Sequence, residues 1–69
     1  MRKYKKAIRK ILHTFNWAKR NHHNRLAREL TDSMHGITRV AMEDEQVTSA
    51  DFVKMLNIHD AMHIRLQKI

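Results

Sequence analysis

The segment YKKAIRKILHTFNWAKR, residues 4–20, decides how this chain folds. Tyr4, Ile8, Ile11, Phe15 and Ala18 recur at alternating steps of three and four, with Ala7 and Leu12 beside them. That spacing is the period of an amphipathic helix, one side oily and the other wet. At about 100° per residue, the wet side carries Lys6, Arg9, Lys10, His13, Trp17 and Arg20. A first helix is predicted over 3–20.

Beyond it the pattern weakens at Asn21-His22-His23-Asn24, four residues of modest helix propensity. It resumes with Leu26, Ala27, Leu30 and Met34, and His22 falls on the stripe of Phe15 and Ala18. One helix over 3–35 and two helices meeting near Asn21–Asn24 both satisfy this pattern. A single helix would be about 50 Å long at 1.5 Å per residue, a length suited to a dimer. Gly36 marks its predicted end, because glycine tolerates φ > 0 at the C′ position. A short helix over 37–45 should follow, running into the acidic Glu43-Asp44-Glu45.

The last helix is predicted over 49–68. Thr48 can cap it with Asp51 at N3, while Val47 and Phe52 occupy the staple positions. Its inner stripe reads Phe52, Met55, Leu56, His59, Met62, His63, Leu66, Ile69. Met34, Met42, Met55 and Met62 are expected as flexible core fillers. Gly occurs once and Pro never, which disfavours sheets and tight hairpins. The expected fold is all-α: a small bundle of two or three helices, one domain over 1–69, completed by dimerisation.

Length and composition exclude several classes. A chain of 69 residues buries only about 60% of its unfolded surface, so a second copy would help its stability. It has no Cys, which rules out disulfides and thiolate metal sites and fits a reducing compartment such as the cytoplasm. No apolar run approaches the 18 residues of a membrane span. The basic start lacks the apolar centre of a secretory signal and is read as part of the mature fold.

Charge is divided unevenly. From Met1 to Arg28 there are ten Lys or Arg and no acid; from Glu29 onward four cations face seven acids. The halves carry +10 and −3, making the formal +7. A block of like charge is frequently an interaction surface, and it attracts polyanions from a distance. Five of the ten cations are Arg, which binds phosphate in bidentate fashion. The acidic 43–45 patch could mask some of them but not all.

These features predict a binding protein rather than an enzyme. The expected partner is nucleic acid, DNA or RNA, held by Lys3, Lys6, Arg9, Lys10, His13, Trp17 and Arg20. The cations would neutralise phosphates and the indole would stack on an unpaired base. Alternatively Trp17 fills a second helix contact inside the bundle. The competing function is an inhibitor or adaptor docking on an acidic protein surface through the same Trp17/Arg side. A membrane-surface helix is disfavoured, because the oily side of 3–20 is needed for the core.

His59-Asp60-Ala61-Met62-His63 places two imidazoles at i and i+4, the spacing of metalloprotease ligands with Asp in place of Glu. No third ligand is fixed by spacing, so neither a metal nor any other cofactor is expected. His59 and His63 are read as polar members of a helix–helix seam that protonation would loosen.

Overall fold

The computed structural model describes residues 2–68, Arg2 by its backbone alone. Three helices of equal length follow one another: α1 (Arg2–Arg20), α2 (Asn24–Met42) and α3 (Ser49–Gln67). The connections are short, so neighbours run antiparallel. α2 lies in the middle, with α1 packed along one side and α3 along the other. The bundle measures 37 × 19 × 15 Å. It is all-α, as expected.

Two helices, not one, replace the ambiguous 3–35 segment. His23 N–H donates to the Ala18 carbonyl at 2.8 Å, and His22 N–H donates to that of Lys19 at 3.4 Å. These two bonds form a Schellman stop with His22 at the C′ position, φ 59°. A non-glycine residue in that region costs about 1–2 kcal/mol. Stacking of the His23 ring on Trp17, centroids 5.0 Å apart and planes at 9°, supplies the side-chain contact that accompanies this motif. His22 therefore leaves the stripe of α1 and is exposed.

α2 runs through Gly36 to Met42, so the predicted stop at Gly36 and the separate helix over 37–45 are both wrong. The buried positions of α2 are Ala27, Thr31, Met34, Thr38 and Ala41, an unbroken alternation of four and three. Two of them are Thr, which reads as polar in sequence. Here each hydroxyl donates to a carbonyl one turn back, Thr31 to Ala27 at 2.9 Å and Thr38 to Met34 at 2.7 Å. Satisfied within their own helix, they can be buried without the cost of an orphaned donor. Small side chains let α2 sit close to both neighbours.

Gly36 thus stands mid-helix, exposed, and a Cβ built there meets nothing within 4 Å. Gly36→Ala is expected to stabilise the fold by about 0.5–1 kcal/mol. The corresponding rise in melting temperature is a few degrees. A lowered midpoint in thermal denaturation would speak against a helical Gly36.

The core joins Ile8, Phe15 and Ala18 of α1 to Met34 of α2 and to Met55 and Met62 of α3. Met42, expected inside, is 63% exposed because it closes α2 at the bundle end. α3 starts as predicted: the Thr48 hydroxyl accepts from the Asp51 N–H at 3.1 Å. Of its expected stripe, Met55 and Met62 are buried and Phe52, His59 and Leu66 half-buried. Leu56 and His63 are exposed, and Ile58 packs on the core instead. α3 meets mainly one helix, so its buried stripe is narrow. Ile69 lies outside the described residues.

Candidate nucleic-acid interface

The apolar side of α1 is used up by the core, and this turns its other side outward. Lys6, Arg9, Lys10, His13 and Arg20 are all exposed. Among the described residues, none of these four Lys and Arg side chains pairs with a carboxylate. Trp17 shares that side and is 44% exposed. It does not fill a second helix contact. One plane of its indole lies against His23. α1 alone carries eight Lys or Arg and no acid.

Lys3 stands apart. Its Nζ lies 3.4 Å from Asp44 Oδ2 and 5.8 Å from the Tyr4 ring centroid. Asp44 also accepts from the Gln46 backbone N–H at 2.9 Å and from the Tyr4 hydroxyl at 2.8 Å. The acidic 43–45 segment therefore touches the basic helix only through Asp44, among the described residues. Glu43 and Glu45 are exposed.

The N–H of Gln46, then the Tyr4 hydroxyl, hold the Asp44 carboxyl below the usual carboxylate range. The same Asp44 bond raises the Tyr4 phenol above its ordinary value, since the bond requires the phenolic proton. A depressed folded-state pKa contributes stability that is present above the unfolded value, about 3.9 for Asp, and lost as pH falls through the lower folded value. Asp44→Asn should thus lower the melting temperature near neutrality and make its decline between about pH 4 and pH 2 shallower than in the parent. Parallel acid melts would refute this role if both proteins declined together.

Cations also gather away from α1's outward side. Arg65 of α3 reaches across to α1, its guanidinium 5.1 Å from the Phe15 ring centroid and donating to Asn16 Oδ1 at 2.5 Å. Lys19 Nζ donates to the Lys68 carbonyl at 2.9 Å. α1 and α3 are tied together at the end where both finish.

Of the two histidines read as seam residues, His59 is half-buried against α2 and His63 is exposed. His59 and His63 stack at 5.9 Å between centroids, and His35 of α2 joins them, 5.2 Å from His59. His59 Nδ1 also lies 3.5 Å from Asp60. His35 stands one residue before the predicted stop at Gly36 and off the apolar stripe, so nothing in its spacing marks it out. Among the described residues, no group of three His, Asp or Glu side chains converges on a metal position.

No family model matches this chain, and neither a curated protein nor a solved structure does.

Proposed function

We propose that this protein binds nucleic acid through α1, acting by binding rather than catalysis. The observation that supports it is the exposed cationic side of α1, with an aromatic plane among charges that no carboxylate engages, among the described residues. From Lys6 to Arg20 the helix rises about 21 Å. Phosphates of one B-DNA strand succeed one another by about 3.4 Å along the duplex axis, so about six lie along this row, and its cations can engage about five of them. Trp17 favours unpaired bases, whose stacking on an aromatic ring is worth about 1–3 kcal/mol.

Trp17 is the only tryptophan, so its fluorescence reports from the proposed surface itself. Titration with a short single strand is expected to quench and shift its emission saturably, and a duplex of equal length should do so less. Unchanged emission on a strand that binds would remove Trp17 from the interface. Absence of binding even at low salt would reject the whole reading.

The exposed Trp17 beside Arg20 equally suits an anchor on an acidic protein surface, the second reading. There Trp17→Ala abolishes partner capture and leaves nucleic-acid affinity intact. Self-association belongs to the proposal as well. Val53 and Ile64, 52% and 58% exposed, share the outward side of α3, whose Lys and Arg balance its acids. Two copies meeting there keep their like-charged α1 helices apart. Sedimentation equilibrium reads the stoichiometry, and a monomer at every concentration would remove this element. No helix among the described residues is long and apolar enough to cross a membrane. A cytoplasmic setting is part of the same proposal.

A further inference from the structure

Where α1 ends, α2 begins and α3 ends, the bundle opens into a cleft. One part is lined by Lys19, Arg65 and Lys68. It continues past Asn24 and Leu66 to Arg25 and Arg28. Five Lys or Arg side chains from around three helix ends thus border two adjoining depressions that share Asn24 and Leu66, and no described Asp or Glu lines either. Sequence could not show this, since Lys19 and Lys68 are 49 positions apart.

Like charges repel, so their convergence requires anchors. Lys19 is anchored on a backbone carbonyl, and Arg65 on a neutral amide oxygen and an aromatic ring. These partners orient the cations without cancelling their charge. Among the described residues, the carboxylate that pairs with one of these cations is Glu29, 3.6 Å from Arg25, with both side chains largely exposed and the pair correspondingly weak. The open N–H groups of α2's first turn, whose N-cap His23 makes no side-chain capping bond, are offset by the carbonyl ends of α1 and α3, so the positive potential rests on the side chains.

We infer that this cleft is a binding site for a terminal phosphate group, a doubly charged phosphomonoester or the end of a condensed phosphate. A row of cations suits the singly charged diesters of a backbone, as along α1. A cup of cations suits an ion carrying about −1.5 to −2 charge and three acceptor oxygens on one phosphorus. A strand end as the source rests on the nucleic-acid reading of α1; free condensed phosphate does not.

The test uses the full chain, a 5′-phosphorylated single strand, its 5′-hydroxyl twin, and tripolyphosphate alone. At about 0.1 M salt, one further phosphate contact should make the phosphorylated strand bind about five- to eightfold tighter. The double variant Arg28→Gln with Lys68→Gln should lose that preference while keeping most of its affinity for the hydroxyl strand. Both residues are exposed, so the variant is expected to fold, and Arg65 is left intact because it packs on Phe15. Tripolyphosphate should raise the melting temperature of the parent more than that of the variant at matched ionic strength.

Equal affinity for both strands together with no tripolyphosphate effect overturns the site. A preference that survives in the double variant overturns its location. Stabilisation by tripolyphosphate without any strand binding upholds the cleft, assigns it to free phosphates and rejects the reading of α1.

Discussion

Changing Lys6, Arg9, Lys10 and Arg20 together to Gln is expected to weaken strand binding by about three orders of magnitude at about 0.1 M salt. Each phosphate contact releases condensed counterions, and its loss costs about five- to eightfold under those conditions. Four contacts compound to that figure. Stability should hardly change, because all four side chains are exposed and among the described residues none forms an ion pair. Relief of like-charge repulsion along one helix offsets the lost stem packing, so circular dichroism should show a bundle close to the parent. Affinity within tenfold of the parent would show that the phosphates are held elsewhere.

Phe15→Ala tests the scaffold beneath that surface. Phe15 is fully buried and is the largest side chain at the core's centre. Truncating such a residue costs about 3–5 kcal/mol. A domain of this length holds about 3–10 kcal/mol in total, at about 0.05–0.15 kcal/mol per residue. The ring also carries the Arg65 guanidinium, one of the ties between α1 and α3. Phe15→Ala should therefore be largely unfolded or melt far below the parent, whereas Phe15→Leu should retain most of its stability. Urea denaturation decides, and a loss under about 1 kcal/mol for the alanine variant would mean that the core is organised otherwise.

The ends of the chain are the more legible parts of this fold. In α1 the apolar residues Tyr4, Ile8, Ile11 and Phe15 are large and regularly spaced, so the period alone identifies both sides. At α3 a local chemical device, the Thr48 cap, marks the start. α2 is obscure because its buried stripe includes small and hydroxyl residues, whose suitability for the interior depends on bonds to their own helix. Gly36 compounds the error: its conformational freedom suggests a stop, yet α2 keeps it helical between Met34 and Thr38.

The candidate surface on α1 follows from the same periodicity that identifies the helix. Its openness to solvent does not, since that depends on where the acidic 43–45 segment lands. Among the described residues only Asp44 lands on α1, and it takes Lys3 and Tyr4 rather than the outward row. The cationic cleft and the approach of His35 to His59 were beyond reach for another reason. Both are assembled by antiparallel packing, which brings distant helix positions together at spacings no linear pattern contains.

The salt dependence of strand binding by the unaltered chain tests the central claim most directly. With about five phosphates engaged, the logarithm of affinity should fall against the logarithm of salt with a slope near −3.5 on single strands and near −4.5 on duplex DNA. A slope within about one unit of zero, or no complex at low salt, would contradict a phosphate-binding α1.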